Sequence, residues 1–210
     1  MKVTVFGATG GTGKHVVDQA LAAGHEVTAV ARDPEDVPGD RAGLTVVRGD
    51  VLDPGSVEAA IAGADAIVSV LGVADRRQPT HLYSEGVGNM LRAMKADGPR
   101  RIIALSADGV EPNPAVNIGQ RLVIALAVAR ILKHLYGDML EMERALAGGE
   151  TDWTVVRPPR LSDKEHTGTY QVSTGEPGPS SGISRADLAD YIVTRLADEE
   201  SYQKLVWITS

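Results

Sequence analysis

The sequence predicts an α/β protein built on a doubly wound parallel sheet and folded as a single domain, and three observations lead to this prediction. Short β-branched runs alternate with amphipathic helical stretches over the first two-thirds of the chain, a rhythm typical of parallel strands joined by right-handed helical crossovers. The run at 66–71 (AIVSVL) is almost uninterrupted in its apolar character, as expected for a strand covered on both faces. The length of 210 residues is about that of one large domain.

Local signals bound each predicted element. Gly24 and Gly63 follow helical stretches as C-terminal stops, while Asp53-Pro54 and Ser184 are N-cap signals. The predicted strands are 3–6, 26–31, 44–48, 66–71, 101–105, 153–157, an exposed strand at 168–174, and 205–209. The predicted helices are 12–23, 54–62, 80–96, a long stretch at 119–147, and 184–197.

Composition and charge exclude several classes of protein. The formal net charge is −7 without a basic stripe, so we expect no nucleic-acid partner. The absence of cysteine excludes disulfides and thiolate nucleophiles, and the five scattered histidines give no metal-ligand spacing, so we expect no metal. The longest apolar run, 122–129, is shorter than the roughly 20 residues of a membrane span. With no signal peptide at the N-terminus, we expect a cytoplasmic protein without a membrane partner.

The strongest signal is the glycine turn at residues 7–13, between the first strand and the first helix. Gly7, Gly10 and Gly13 suit a tight turn, a close approach to a pyrophosphate, and helix–strand packing, respectively. The following helix offers free N–H groups and the positive end of its dipole to phosphates. A P-loop is excluded, because Ala8 and His15 replace its glycine and its Ser/Thr. The predicted cofactor-binding residues of the turn are Gly7, Thr9, Gly10, Gly11, Thr12 and Gly13. The alternative is a glycine-rich connection that binds nothing.

The end of the second strand bears on the choice of nucleotide. Arg32 stands where an NAD site usually has an acidic residue, and an arginine suits the 2′-phosphate of NADP, so we expect NADPH to be preferred over NADH. The alternative is a solvated Arg32 paired with Asp33 or Asp36. After the third strand, Asp50 and Val51 are expected to bracket the adenine, or else to be a turn residue and a core neighbour.

The regular alternation of strand-like and helical stretches ends after the paired prolines Pro158-Pro159. We interpret 1–157 as the dinucleotide-binding core and 158–210 as a small C-terminal elaboration on the same sheet, with a Pro/Gly/Ser loop at 176–182.

Proton-relay chemistry is disfavoured, because the Tyr-x-x-x-Lys pair is absent. The residues four positions after the five tyrosines are Val87, Leu140, Thr174, Arg195 and Val206. Tyr136 falls in roughly the right helix but has apolar Leu140 at the partner position. Ser106 ends the fifth strand, where this fold presents reacting groups. It is predicted to hydrogen-bond the nicotinamide amide or the substrate, or alternatively to satisfy a strand-end backbone group.

Motifs along nearly the whole chain resemble an atypical branch of the short-chain dehydrogenase/reductases, in particular NmrA-like proteins and the NAD(P)H-flavin reductase and biliverdin-IXβ reductase group. Beside the glycine turn and Arg32, they are Gly49-Asp50-Val51, Leu71-Gly72, Ser84-Glu85-Gly86 with Asn89, Arg157-Pro158-Pro159, Thr167-Gly168-Thr169-Tyr170, Gly178-Pro179-Ser180 and Ile183-Ser184. The resemblance implies a Rossmann domain that passes hydride from NADPH to flavins, quinones or linear tetrapyrroles. It places Leu71, Gly72 and Pro158 at the cofactor and gives Ser106 the position of a site serine.

Two features depart from that pattern. Arg160 replaces the histidine expected after the paired prolines, and the stretch 117–135 is longer than in biliverdin reductases. Tetrapyrrole reduction is therefore less expected than nucleotide binding.

We therefore expect an NADPH-dependent reductase of a flavin, quinone or similar small-molecule hydride acceptor, with Ser106, Arg160 and Tyr136 as the candidate catalytic residues. Two alternatives stay open: an NmrA-like redox sensor that binds dinucleotide without turnover, and a tailoring reductase or redox-neutral enzyme of quinone biosynthesis. With eight aromatic residues in the chain, little surface is left to stack a resident flavin, so flavin is expected to be a substrate. The chain is expected to be a monomer or homodimer.

Overall fold

The computed structural model describes residues 1–37, 39–95, 98–111, 132–175 and 182–210. The strands are β1 (Lys2–Phe6), β2 (Glu26–Ala31), β3 (Leu44–Arg48), β4 (Ala66–Ser69), β5 (Arg101–Leu105), β6 (Asp152–Arg157), β7 (Leu161–Ser162), β8 (Gln171–Ser173), β9 (Ile183–Ser184) and β10 (Lys204–Thr209). The helices are α1 (Gly11–Ala22), α2 (Pro54–Ile61), α3 (Leu82–Lys95), α4 (Lys133–Ala147) and α5 (Arg185–Thr194), with short 3-10 turns at Pro34–Asp36, Asp108–Val110 and Glu199–Ser201.

The main sheet has eight strands in the order β3-β2-β1-β4-β5-β6-β10-β8. All neighbours pair in parallel except β8, which runs antiparallel to β10 at the edge. In the register of the central strands, Val5 lies opposite Ala29 on one side and Val68 on the other. The direction of strand addition reverses between β1 and β4, which is where a doubly wound sheet opens a crevice at the carboxyl ends of its strands.

Helices cover both faces of this sheet. Side chains alternate along β1, so Val3 and Val5 join the core under α1 and α5, whereas Phe6 joins the core under α2, α3 and α4. Helices α1 to α4 present one apolar stripe inward, as expected for a layer packed on a sheet, whereas α5 buries seven of its ten residues. The central strands β1, β4, β5 and β6 are therefore buried on both faces, which explains their almost continuous apolar sequences.

The predicted fold class is confirmed, and the residues after 158 add β10 and β8 to the same sheet within one domain. Several boundaries differ from the prediction. Strand β4 ends at Ser69 rather than at 71, helix α3 begins at Leu82 rather than at 80, and α5 ends at Thr194 rather than at 197. The helix predicted at 119–147 is seen only as Lys133–Ala147, because residues 112–131, which include the whole apolar run 122–129, lie outside the described residues.

The predicted strand at 168–174 was too long, because a carboxylate holds the chain where that strand was predicted to begin. Asp187 accepts hydrogen bonds from the backbone N–H groups of Thr167 (2.7 Å) and Gly168 (2.9 Å), which leaves only Gln171–Ser173 to pair as β8. The parallel pair of β7 and β9 was not predicted, since two-residue strands carry no periodicity. No helix among the described residues has the length and apolar character needed to cross a membrane.

A candidate dinucleotide-binding cleft

A cleft of about 1200 Å³ lies at the carboxyl ends of the central parallel strands. Loops that follow β1, β2, β3, β4, β5 and β6 all contribute to its wall, as expected at the switch point of a doubly wound sheet. It brings together nearly all the residues predicted from the sequence, namely Gly7, Thr9, Gly10, Gly11, Thr12, Arg32, Asp50, Val51, Leu71, Gly72, Ser106, Tyr136, Pro158 and Arg160. Gly13 is the exception and lies behind the wall.

The glycine turn has the geometry that a phosphate site needs. Gly7 has φ +84°, and a Cβ there would stand 2.5 Å from the carbonyl oxygen of Val70. The Gly10 N–H donates to the Gly7 carbonyl at 3.0 Å, which closes the turn. Gly10 caps α1 without a side-chain hydrogen bond, and the first turn of α1 has no acidic residue. The free N–H groups and the positive end of the helix dipole therefore face the cleft without a competing carboxylate on the helix.

Arg32 is exposed on the cleft wall, and in the described part of the chain it forms no ion pair. Asp33, its neighbour, instead caps the 3-10 turn by accepting from the Glu35 N–H at 3.4 Å. The alternative of Arg32 paired with Asp33 or Asp36 is thus not what the structure shows. A free guanidinium in this position can accept a phosphate as its partner.

The structure shows Asp50 and Val51 as the turn residue and core neighbour that the sequence offered as one interpretation. Asp50 is a turn residue, since its Oδ1 accepts from the Leu52 N–H at 3.0 Å, and Val51 is buried in the core. The Val51 carbonyl also accepts from the Asn89 side-chain amide at 2.8 Å, which ties the loop to α3. Both residues nevertheless line the cleft.

Ser106 lies on the cleft wall directly after β5. Its backbone N–H donates to the Val156 carbonyl at 2.9 Å, so the main chain is fixed. Its hydroxyl is buried and has no hydrogen-bond partner among the described residues. Buried hydroxyls are normally paired, so an unpaired one that lines a cleft is available to a ligand. The alternative, in which the side chain satisfies a strand-end backbone group, is not observed.

Tyr136 reaches the cleft from α4. The ring lies against the 3-10 turn at Asp108–Val110, where a Cβ on Gly109 would stand 2.9 Å from the Tyr136 hydroxyl. Burial raises the pKa of Tyr136, nearby Arg76 opposes this, and Asp108 adds to it. The hydroxyl therefore stays protonated at neutral pH. Leu140 lies one helical turn further on, at the position of the lysine in a Tyr-x-x-x-Lys pair. No lysine ammonium group at that position lowers the pKa of Tyr136.

Two residues at or beside the cleft, Asp138 and Arg185, were not predicted from the sequence. Asp138 of α4 is buried and accepts from the backbone N–H groups of Tyr83 (2.9 Å) and Ser84 (3.0 Å), so it caps the start of α3 beside the cleft. Arg185, the first residue of α5, also lines the cleft. Neither position could be predicted from a local pattern, because elements far apart in the chain bring Asp138 and Arg185 to their places.

Charge is distributed unevenly between the cleft and the rest of the molecule. Although the chain carries −7, the described part of the cleft wall holds four arginines, Arg32, Arg76, Arg160 and Arg185, against the three carboxylates of Asp50, Glu85 and Asp108. This balance favours an anionic ligand. Within the ranges that the structure describes, no group of three histidine or acidic side chains could hold a metal ion.

The fold and the cleft define a dinucleotide-binding protein of the Rossmann type. The sequence model of the NAD(P)H-binding family matches residues 7–199, and the chain belongs to this family. An uncharacterized chloroplastic protein of Arabidopsis thaliana is 30% identical over 217 residues, covering 100% of this chain and 76% of that protein. The next six curated relatives match only about half of this chain. The matched part covers 12% to 38% of each relative's length.

Solved structures share the fold. An oxidoreductase from Lactococcus lactis superposes with a TM-score of 0.83 at 23% identity, covering 100% of this chain and 91% of that one. A short-chain dehydrogenase/reductase from Veillonella parvula, solved in complex with NADP, gives a TM-score of 0.81 at 17% identity, covering 100% and 94%. The resemblance to atypical short-chain dehydrogenase/reductases is thus confirmed at the level of an NAD(P)H-binding Rossmann family.

Proposed function

We propose that the protein is an NADPH-dependent reductase that passes a hydride to a flavin, a quinone or a similarly conjugated acceptor. The observation that carries this proposal is one continuous cleft with a free arginine, Arg32, and a buried unpaired hydroxyl, that of Ser106, among its lining groups. In the proposed placement the glycine turn binds the phosphates, Asp50 and Val51 border the adenine, and Leu71, Gly72 and Pro158 border the nicotinamide half.

The preference for NADPH over NADH rests on Arg32. A planar guanidinium without a carboxylate partner suits the 2′-phosphate, whereas an acidic residue at this position would suit the ribose 2′-hydroxyl. Ser106 is proposed to hydrogen-bond the nicotinamide amide or the acceptor and so to orient them.

A conjugated acceptor is proposed because the cleft provides orientation but no proton relay. Bound NADPH supplies a hydride, and the reduced acceptor takes its proton from water. A ketone would need a proton delivered in the transition state, and Tyr136 has a raised pKa and no lysine one helical turn away. A flavin or quinone spreads the charge it gains, so positioning by Ser106, Tyr136 and Arg160 is sufficient.

Flavin is proposed to be a visiting substrate. The aromatic residues on the described cleft wall are Phe6, Tyr83 and Tyr136, and the first two are buried in the core. Of these three, only Tyr136 is partly exposed and has a ring face available for stacking. We further propose that the protein acts in the cytoplasm on small molecules, without a nucleic-acid or membrane partner, as a monomer or homodimer.

Steady-state oxidation of NADPH in the presence of menadione or FMN tests this function. We expect turnover with both acceptors, little with a simple ketone, and a clear loss of kcat for Ser106→Ala. Tight NADPH binding without turnover of any acceptor would instead support a redox sensor that binds dinucleotide.

A further inference from the structure

We propose that Arg185 binds the pyrophosphate of the dinucleotide and exchanges its ion-pair partner Asp163 for the phosphate when it does so. This inference rests on the proposed placement of the phosphates on the glycine turn. It assigns a binding residue that lies 174 positions from Gly11 in the sequence.

The side chain of Arg185 lies directly over the glycine turn. A Cβ on Gly11 would stand 2.8 Å from both Cδ and Nε of Arg185 and 3.6 Å from its Cζ. Gly11 is the first residue of α1, so the guanidinium sits at the helix N-terminus, where the backbone N–H groups point. Residues 7–13 contain no cationic side chain of their own, so this arginine adds the charge that the turn lacks.

The main chain that carries Arg185 is held rigidly. The Ser184 hydroxyl accepts from the Asp187 N–H at 2.9 Å and donates to the Asp187 carboxylate at 2.8 Å, which fixes the first turn of α5. One residue further on, the Ala186 carbonyl accepts from the Gln19 side-chain amide of α1 at 2.9 Å. The start of α5 is thus tied to the second half of α1, and only the side chain of Arg185 needs to move when a phosphate arrives.

The present partner of Arg185 is easily replaced. Its Nη1 contacts Asp163 Oδ1 at 2.5 Å, and the Asp163 side chain is 86% exposed, whereas the Arg185 side chain is 26% exposed. Ion pairs with such an exposed carboxylate contribute little to stability, because solvent competes for both charges. A pyrophosphate at the turn has more negative charge and more acceptor oxygens than one carboxylate, and it can take the guanidinium in a bidentate pair.

Nucleotide affinity measured by calorimetry on single variants tests this inference. Arg185→Gln is expected to weaken NADPH and NADH by the same factor, about tenfold, as for the loss of one charge-assisted hydrogen bond. Arg185→Lys keeps the charge but loses the planar guanidinium that can bind bidentately. Its affinities for both nucleotides are expected to lie between those of the wild type and those of Arg185→Gln. Asp163→Asn is expected to strengthen both nucleotides about twofold to threefold, since it removes the competing partner. That gain is expected to disappear in the Arg185→Gln background.

A matched control is the surface ion pair between Arg41 and Asp18, which joins α1 to the segment before β3 and does not line the cleft. Arg41→Gln and Asp18→Asn are expected to leave both affinities unchanged. If the wild type binds both nucleotides and Arg185→Gln binds them equally well, the inference is wrong while the proposed function stands. If the wild type binds neither nucleotide, the proposed function itself fails. A loss for NADPH alone would assign Arg185 to the 2′-phosphate and would also overturn the inference.

Discussion

A Cβ atom on Gly13 would overlap the carbonyl oxygen of Gly7 and stand 2.8 Å from its carbonyl carbon, so α1 rests directly on the backbone of the glycine turn. This contact explains why Gly13 belongs to the motif although it does not line the cleft. The third glycine holds the turn in shape, while the residues before it face the ligand.

Gly13→Ala is expected to destabilise the fold by about 2 kcal/mol or more, because the new methyl group overpacks two backbone segments. Gly137→Ala is the matched control, since Gly137 is also helical and a Cβ there would meet nothing within 4 Å. The control is expected to be stabilising by up to about 1 kcal/mol through helix propensity. Thermal unfolding of both variants measures the difference, and equal melting temperatures would contradict the packing role of Gly13.

Removal of the carboxylate of Glu143 is expected to be costly, because it takes away the buried partner of a buried cation and leaves only an exposed one. Arg157 is 2% exposed, and Glu143, 6% exposed, binds it in a bidentate pair at 3.0 and 2.5 Å. We expect Glu143→Gln to lower the free energy of unfolding by about 3 kcal/mol. Arg157 also contacts Glu111 at 2.7 Å, but that side chain is 58% exposed, so Glu111→Gln is expected to cost about 1 kcal/mol or less. Denaturant unfolding compares the two, and a Glu111 effect as large as that of Glu143 would refute this account.

Asp187 is expected to make stability depend on acidic pH. Burial alone would raise the pKa of Asp187, but hydrogen bonds from Thr167, Ser184 and Gly168 outweigh it and hold the pKa below the ordinary 3.8. A lowered folded pKa means that Asp187 contributes stability fully above pH 3.8, and this stability is lost as the pH falls through the folded pKa.

Asp187→Asn is therefore expected to be destabilising by about 1–3 kcal/mol at neutral pH, and this deficit shrinks in acid as the wild-type carboxylate becomes protonated. Denaturant unfolding between neutral pH and acid measures it. His166 lies 3.9 Å from Asp187, so the profile is best recorded in a His166→Gln background. A deficit that stays constant into acid would rule out the carboxylate as its source.

Arg32 is expected to discriminate between the two nucleotides. Arg32→Ala is predicted to weaken NADPH by about tenfold to a hundredfold and to leave NADH nearly unchanged, because only NADPH carries the 2′-phosphate. NADH is thus the internal control of the measurement. Equal losses for both nucleotides would refute a contact between Arg32 and the 2′-phosphate.

Much of the scaffold could be predicted because its signals are local. The glycine turn, the N-cap at Asp53 with the following proline, and the apolar strands are each encoded within a few neighbouring residues. The cleft residues found from the sequence stand at strand ends, where the parallel topology itself places them together.

The remaining contacts could not be predicted because they join segments distant in the sequence. Arg185 reaches Gly11 only because α5 packs beside α1, and Asp138 caps α3 only because α4 crosses its first turn. The apolar face of α4 could be predicted from its sequence, but the contact between the buried Asp138 of α4 and the start of α3 could not. The late start of the strand predicted at 168–174 has the same origin, since Asp187 is 19 residues beyond Gly168.

A single-turnover experiment tests the central claim most directly. The protein is loaded with NADPH in the absence of oxygen, mixed with excess menadione, and the nicotinamide absorbance is followed. We predict a rapid loss of all protein-bound NADPH, with a rate that saturates with menadione and falls in Ser106→Ala. Stoichiometric NADPH that stays bound and unreacted with both menadione and FMN would contradict the assignment as a reductase.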